Sequence, residues 1–199
     1  MAAIVPIVEG FAEVESIPVL FRRILAQRNI HNVSIARPFR VKRNRVVHPQ
    51  ELERAVTLAI SDRTGAAGVI VVLDSDDDCP AQLGPKLLAR AREATDLPVA
   101  IVLARKELEC WFLGAKESLR GTRGISTDSA SPPDPEEIRG AKERLTKNMS
   151  GGRRYLEVDD QPAFAHAMDL DQTQARCPSF ARLVQKLHLL CRTILPNHV

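Results

Sequence analysis

AGVIVVL, residues Ala67 to Leu73, is apolar throughout and is followed directly by the acidic run DSDDD, residues Asp74 to Asp78. An uninterrupted apolar run of this length, rich in β-branched residues, is typical of a strand that is covered on both faces. Such strands occur mainly in parallel sheets, because crossover helices then cover both sides. The segment therefore predicts a buried parallel strand that ends in carboxylates.

The rest of the first hundred residues alternates between strand and helix patterns. Further strands are predicted at 3–8, 33–36 and 98–103, and helices after Gly10, Pro49 and Pro80. Alternating elements joined by right-handed crossovers form a layered fold. The predicted class is α/β, with a mostly parallel four-stranded sheet flanked by helices. Pro18 is tolerated best in a first turn, which predicts that the first helix starts between Glu13 and Ser16.

The chain after residue 120 has a different character. Residues 122–135 are rich in Ser, Pro, Gly and Asp, which is typical of a loop. A helix is predicted from Asp134 through Leu145, a short one after Pro162, and a strongly amphipathic one from Phe180 to Ile194. We expect an α/β core over residues 1–120 and a helical extension over 121–199, packed together as a single domain.

Composition excludes several classes of protein. The 199 residues are 44% hydrophobic and 27% charged, which is ordinary for a globular domain. No apolar run reaches the roughly 20 residues that span a bilayer, and no secretory signal is visible, so a cytoplasmic protein without membrane contact is expected. The four cysteines lack zinc-finger spacing, which predicts reduced thiols. The net charge of +3 does not by itself indicate nucleic-acid binding.

The distribution of charge is more informative than its sum. Five basic residues and no acidic one lie in the segment from 37 to 45, which we interpret as a loop or an edge hairpin: Arg37, Arg40, Lys42, Arg43 and Arg45. Such a stretch could follow a phosphate backbone, and its contacts would weaken steeply with salt. The alternative interpretation is a solvated surface.

Carboxylates follow three of the four predicted strands, and basic residues accompany the last group. The acidic candidates are Glu9 and Glu13, then Asp74, Asp76 and Asp78, then Glu107 and Glu109. Ligands of open parallel sheets bind at the carboxyl ends of the strands, so these groups are expected at one edge. Clustered carboxylates repel one another unless a cation neutralises them, and oxygen ligands suit Mg²⁺ or Mn²⁺. Two residues apart, Glu107 and Glu109 cannot share a helix face.

Three motifs together resemble the TOPRIM fold of topoisomerases, primases and OLD-family nucleases. They are V-E-G-x-x-E at 8–13, V-L-D-x-D-x-D at 72–78 and E-x-E-x-W-F-L at 107–113. The chain is most similar to uncharacterised bacterial TOPRIM-like proteins of about this length. These also have a tyrosine, an acidic-Gln pair and a late S-F, which match Tyr155, Asp160-Gln161 and Ser179-Phe180. The resemblance thus covers nearly the whole chain.

The resemblance implies a role for each matching position. Glu9 corresponds to the acid/base or metal-positioning glutamate, with Glu13 beside it, and Asp74 and Asp76 correspond to the D-x-D that holds a divalent ion. Glu109, or less favourably Glu107, corresponds to the further acid of OLD-type members. Such nucleases often accompany an ABC-type ATPase in phage-defence or abortive-infection systems. This sequence has no phosphate-binding glycine motif, so that ATPase would be another chain.

Three functions remain open at this level. The first is a Mg²⁺-dependent nuclease, in which Arg105 and Lys106 would hold the scissile phosphate of DNA or RNA. The second is a non-catalytic module that binds nucleic acid or a protein partner. The third is a small-molecule phosphatase, which is disfavoured because Asp78 stands where that enzyme class usually has a hydroxyl residue. The oligomeric state is left open.

Overall fold

The computed structural model describes residues 1–195 and shows a parallel sheet between two layers of helices. The strands are β1 (Ala2–Val8), β2 (Val33–Ile35), β3 (Phe39–Arg40), β4 (Ala66–Asp74) and β5 (Val99–Ala104). Every strand pair is parallel, in the order β2-β1-β4-β5, with β3 also paired to β1. The predicted α/β class with a parallel sheet is confirmed.

Nine α-helices are present in residues 1–195, and the last is long and C-terminal. They are α1 (Phe11–Gln27), α2 (Arg43–Val46), α3 (Glu51–Ser61), α4 (Pro80–Glu93), α5 (Glu109–Gly114), α6 (Ala141–Lys147), α7 (Glu157–Ala167), α8 (Leu170–Arg176) and α9 (Pro178–Ile194). Short 3₁₀ turns span Thr122–Gly124 and Pro135–Glu137. None of the helices described here is long and apolar enough to cross a membrane.

The sheet has five strands, whereas the sequence predicts four. The additional strand, β3, was expected to be a loop or part of an edge hairpin. It pairs in parallel with the end of β1, matching Phe39 to Ile7 and Arg40 to Val8. A strand of two residues is too short to show an alternating pattern, so nothing local could reveal it. Its pairing brings the basic segment to the carboxyl end of β1.

Successive residues of β4 alternate between two apolar layers. Val69, Val71 and Leu73 pack with α3 and α4 on one face of the sheet. Ile70 and Val72 point to the opposite face, into a larger cluster that continues into the helices after residue 120. All five lie at most 2% exposed, as expected of a strand covered on both sides.

Aromatic contacts join this larger cluster to the C-terminal part of the chain. The rings of Trp111 and Phe180 meet edge to face with centroids 5.4 Å apart, and those of Phe112 and Phe164 do so at 5.6 Å. The Trp111 indole also donates a 2.8 Å hydrogen bond to Ser179 Oγ. The described part of the predicted extension, residues 121–195, therefore shares one core with the sheet, and its residues 196–199 lie outside the described range.

The start of α1 differs from the prediction. The helix begins at Phe11, because the Glu13 carboxylate accepts hydrogen bonds from the backbone N–H groups of Glu9 (2.8 Å) and Gly10 (3.1 Å) and so caps the first turn. Pro18 consequently lies in the helix interior, where it removes the helical hydrogen bond to the carbonyl of Val14. The predicted start between residues 13 and 16 is wrong because local capping outweighed the proline.

The helices after residue 120 also differ in detail. The single helix predicted from Asp134 is divided into a 3₁₀ turn and α6, because Gly140 adopts a left-handed conformation with φ of 66°. The helix expected after Pro162 starts earlier, at Glu157. Helix α8 was not predicted, because its sequence has no clear hydrophobic periodicity. Short helices of this kind are stabilised mainly by packing rather than by their own sequence.

Gly68 provides a test of how α9 packs on the sheet. A Cβ at Gly68 would lie 2.8 Å from Ile194 Cδ1 and 3.1 Å from Leu190 Cδ1. Gly68→Val is therefore expected to lower the free energy of unfolding by about 1–3 kcal/mol through overpacking, measured by chemical denaturation. Gly84→Ala is the control, because its new Cβ would have only an ordinary 3.9 Å contact. Equal stability of Gly68→Val and wild type would contradict this packing.

Candidate functional site

The structure brings four carboxylates together at the carboxyl edge of the sheet. Glu9 follows β1, Glu13 lies in the first turn of α1, Asp74 ends β4, and Glu109 begins α5 just after β5. Burial raises the pKa of Asp74 well above its usual value, and the charges of Glu109, Glu13 and Glu9 raise it further. We refer to these four side chains as the carboxylate cluster.

Glu9 is the member of the cluster with a buried oxygen that has no hydrogen-bond partner in residues 1–195. This oxygen is Oε2. Burial, followed by the charges of Glu13 and Asp76, raises the pKa of Glu9 to about 7. A buried carboxylate oxygen without a partner is unfavourable, so this atom is suited to bind a cation or a proton supplied by a ligand.

Glu13 and Asp74 are held by backbone groups. Both hydrogen bonds to the Glu13 carboxylate, from the N–H groups of Glu9 and Gly10, go to Oε2. Asp74 Oδ1 accepts a 2.8 Å hydrogen bond from the N–H of Leu108, which lies just after β5. These bonds fix the directions of the two side chains. The Glu13 bonds link the end of β1 to α1, and the Asp74 bond links the end of β4 to the segment after β5.

Glu109 is positioned by residues of the C-terminal part of the chain. Its Oε1 atom accepts hydrogen bonds from the Tyr155 hydroxyl (3.1 Å) and from Gln161 Nε2 (3.3 Å). Gln161 in turn accepts a 2.6 Å hydrogen bond from Ser16 Oγ on α1. Burial raises the pKa of Glu109 to about 7. The network places Glu109 beside Asp74 in a buried polar layer.

Lys142 is the cation that faces the cluster, and the sequence did not single it out. It projects from α6, and its Nζ atom lies 2.9 Å from Glu157 Oε1. Burial would lower the pKa of Lys142, but the charges of Glu109 and Glu157 raise it above its usual value, with a smaller contribution from Asp74. The ammonium therefore stays charged and offsets part of the repulsion between the carboxylates.

Arg43 engages the other two aspartates of the D-x-D-x-D run. Its guanidinium contacts Asp76 Oδ2 at 3.1 Å and also pairs with Asp78. It donates further hydrogen bonds to the backbone carbonyls of Asp74 (2.8 Å) and Ser75 (3.0 Å). Arg43 thus holds the turn after β4, and Asp76 and Asp78 are directed towards it rather than into the carboxylate cluster.

The turns after β4 and β5 are joined to each other in a strained conformation. Asp76 and Lys106 both have positive φ, 48° and 60° respectively. The Asp76 N–H donates to the Lys106 carbonyl at 3.1 Å, and the Lys106 N–H donates to Ser75 Oγ at 2.9 Å. Non-glycine residues adopt this conformation at a cost, and such strain concentrates at functional sites.

The remaining candidates after β5 face away from the cluster. The Arg105 guanidinium pairs with Glu137, and Lys106 Nζ lies 3.4 Å from the same carboxylate. Glu107 Oε1 accepts hydrogen bonds from the N–H groups of Gly140 (2.9 Å) and Ala141 (3.3 Å) at the start of α6. Of the two glutamates in E-x-E, Glu109 lies next to Asp74 and Glu107 caps α6.

The five basic residues of segment 37–45 are placed differently from one another. Arg37 and Lys42 are exposed, and Arg45 forms a 2.7 Å ion pair with Glu51. The guanidinium of Arg40 lies 3.8 Å from the centre of the Phe11 ring. Apart from Arg43, they form an open basic surface beside the end of β1.

Part of this site was not accessible from the sequence. Tyr155 and Gln161 appeared only as motif positions, and Lys142 lay in a basic stretch without a distinguishing pattern. They reach the cluster because α6 and α7 pack against α5 and α1, and the hydrogen bonds of Tyr155 and Gln161 join residues that are 46 to 145 positions apart in the sequence. Hydrophobic periodicity reflects only neighbouring residues, so it cannot predict contacts between such distant segments.

The cluster can be compared with what a divalent ion requires. In the part of the chain that is described, no group of three or more His, Cys, Asp or Glu side chains is arranged to hold a metal ion. The donor set nevertheless fits Mg²⁺ or Mn²⁺ chemically, because it consists of carboxylate oxygens and includes the unpartnered Oε2 of Glu9. Glu9, Asp74 and Glu109 would be the ligands, after a rotation of at least one of these side chains.

Comparison with known proteins gives one match. Residues 8–188 match the family described as "Domain of unknown function (DUF4276)". The chain belongs to this family. Its matched region includes all four members of the carboxylate cluster, as well as Lys142, Tyr155 and Gln161. Searches of curated proteins and of solved structures found no match.

The raised pKa values predict how stability depends on pH in the absence of metal. Glu9 and Glu109 bind a proton more tightly in the folded chain, where their pKa is about 7, than at the ordinary value of 4.5. The folded state therefore holds more protons in this window, and the free energy of unfolding falls as pH rises from 4.5 to about 7.

Thermal unfolding in EDTA measures this effect. Glu9→Gln removes one of the two titrating carboxyl groups. As the pH rises from 4.5 to about 7, its melting temperature is therefore expected to fall less than that of wild type. Asp77→Asn is the matched control, because the Asp77 side chain is 75% exposed, and its pH dependence should follow that of wild type. A constant difference between Glu9→Gln and wild type at all pH values would show that Glu9 does not titrate in this way.

Proposed function

We propose that this protein is a Mg²⁺- or Mn²⁺-dependent nuclease of TOPRIM/OLD type that hydrolyses phosphodiester bonds. The observation that carries the proposal is the convergence of Glu9, Asp74 and Glu109 from three strand ends, with a buried Glu9 oxygen that has no partner within residues 1–195. The resemblance of the three sequence motifs to the TOPRIM fold supports it. We further propose a cytoplasmic location, since all four cysteines are free thiols.

The chemistry divides between a metal ion and the side chains of the chain. A bound divalent ion would stabilise negative charge on the phosphate and lower the pKa of an attacking water. Glu9 and Asp74 would hold it, and Glu109 would complete the set while Tyr155 and Gln161 keep its carboxylate oriented. Lys142, which stays protonated among these acids, would offset charge that develops on the phosphate oxygens.

A separate cavity, whose lining includes none of the four cluster residues, offers a place for substrate phosphates away from the cleaved bond. It has a volume of about 410 Å³ and lies between the starts of α4 and α9, next to the turn that contains Asp76. Its basic lining residues are Arg105, Lys106, Arg139 and Arg182. Arg105 and Lys106 now pair with Glu137, and Arg139 pairs with Asp77, so substrate binding would exchange these carboxylates for phosphate oxygens.

A specific observation favours a second candidate, the non-catalytic binding module. Arg43 already neutralises Asp76 and Asp78, and the hydrogen bonds of Asp74 and Glu109 occupy one oxygen of each. A site whose carboxylates already have ion-pair and hydrogen-bond partners could bind nucleic acid or a protein without catalysing a reaction. An ATPase partner would be compatible with both functions, and it would have to be another chain because this sequence lacks a P-loop motif.

Nuclease assays on plasmid, single-stranded DNA and RNA, with Mg²⁺ or Mn²⁺, test the proposal. Asp74→Asn and Glu9→Gln are expected to lower the cleavage rate at least about 100-fold, because each removes a charged oxygen ligand or acid/base group. Asp62→Asn should retain activity, since this exposed aspartate at the end of α3 lies outside both the cluster and the cavity.

Two results would count against hydrolysis. One is unchanged cleavage by Asp74→Asn, which would indicate a contaminating nuclease. The other is binding of nucleic acid without cleavage, with or without an added ATPase partner, which would favour the module. Turnover of simple phosphomonoesters, measured in parallel, would instead indicate a phosphatase.

Lys142 is tested separately because it is the one member of the site contributed by α6. Lys142→Met is expected to lower kcat about 100-fold with a smaller change in KM, because its charge would act mainly on the transition state. Lys142→Arg should restore part of the activity. Lys147→Met, an exposed position on the same helix, is the control. A loss confined to KM would instead assign Lys142 to substrate binding.

A further inference from the structure

Phe11 is an exposed aromatic residue at the edge of the carboxylate cluster. It is the first residue of α1, two positions after Glu9, and it is 69% exposed. Four other phenylalanines are fully buried: Phe21, Phe112, Phe164 and Phe180. A single exposed phenyl ring is not unusual by itself, so the groups around it decide what it could contact.

The ring of Phe11 is held in place by a cation. The guanidinium of Arg40 lies over the ring at 3.8 Å from its centre, which is a close cation–π contact. Arg40 is itself fixed, because its backbone pairs with Val8 in the sheet. Because Arg40 covers one face of the ring and Phe11 is still 69% exposed, we infer that the opposite face is open to solvent.

A basic depression adjoins this pair. It has a volume of about 230 Å³, and its lining includes four basic residues and one carboxylate among apolar residues: Arg40, Lys42, Arg45, Arg54 and Glu51. Arg40 belongs both to the depression and to the contact with Phe11. An apolar ring therefore lies beside a surface suited to phosphates, and it is two residues in sequence from both Glu9 and Glu13.

We propose that Phe11 and Arg40 form a stacking platform for an unpaired base of a single-stranded nucleic acid. The inference rests on the proposed nuclease function and names its substrate class. A flat exposed ring backed by a guanidinium offers a base the same contact as a neighbouring base in a strand, and it accepts any base. A duplex would not fit, because its base faces are covered by stacking. The strand's phosphates would lie over the basic depression.

Binding in EDTA, where metal-dependent cleavage cannot occur, tests the platform. The probes are a fluorescein-labelled oligothymidylate and an abasic oligonucleotide of the same length, measured by fluorescence anisotropy. Phe11→Ala is expected to weaken oligothymidylate binding about tenfold, which is within the usual value of one stacked base. Its affinity for the abasic strand should not change, because that strand retains only the phosphate contacts.

Two further variants make the result specific. Phe11→Trp should keep the affinity for oligothymidylate, and its indole fluorescence should be quenched on binding. The native Trp111 is 0% exposed and serves as a constant background. Leu189→Ala, which removes a 56% exposed side chain from α9, is the control for loss of apolar surface and should bind like wild type.

The outcomes separate this inference from the nuclease proposal. The platform is overturned if wild type does not bind oligothymidylate, or if Phe11→Ala binds both strands as wild type does or weakens both equally. An exposed Phe11 would then be a contact for a protein partner. Binding that depends on Phe11 in a protein without any cleavage activity would support the platform and reject hydrolysis. Cleavage that requires Asp74 but not Phe11 would support hydrolysis and reject the platform.

Discussion

Four carboxylates that repel one another are held at one edge of the sheet, and much of the surrounding structure offsets this repulsion. Backbone N–H groups bind Glu13 and Asp74, a tyrosine and a glutamine bind Glu109, and Lys142 faces the group with a positive charge. Among the four, only Glu9 has a buried oxygen without a hydrogen-bond partner in residues 1–195. The repulsion between the carboxylates and the unpartnered oxygen destabilise the folded protein. A bound cation or substrate group would relieve both, and this relief would strengthen its binding.

The helices after residue 120 are part of this arrangement. They share an apolar core with the sheet through the contacts of Trp111 with Phe180 and of Phe112 with Phe164. From this shared core, α6 contributes Lys142, and α7 contributes Gln161 to the network around Glu109. The extension therefore both completes the fold and completes the candidate site, and the family match over residues 8–188 includes both parts.

The acidic residues at the strand ends could be predicted, but their individual roles could not. Parallel strands deliver their carboxyl ends to one edge, so Glu9 and Asp74 were expected to meet once the sheet was recognised. Asp76 follows the same motif but turns to Arg43, which the sequence had suggested for nucleic acid. Glu107 caps α6 although its neighbour in the motif, Glu109, is buried beside Asp74. The spacing of Glu107 and Glu109 shows that they cannot both face the cluster from one helix, but it does not indicate which of them does.

Hydrophobic periodicity and β-branched runs determined the α/β class, the parallel direction of the main strands, the helix that begins at Pro80 and the helix that ends at Ile194, because these patterns arise from neighbouring residues in the chain. The order of the strands in the sheet was left to the tertiary structure. Tertiary structure decided the fifth strand, the early start of α1 and the composition of the buried polar network. Those features depend on pairing, capping and packing between segments that are remote in sequence. The positive φ values of Asp76 and Lys106 belong to the same group, because hydrogen bonds between two separate turns impose them.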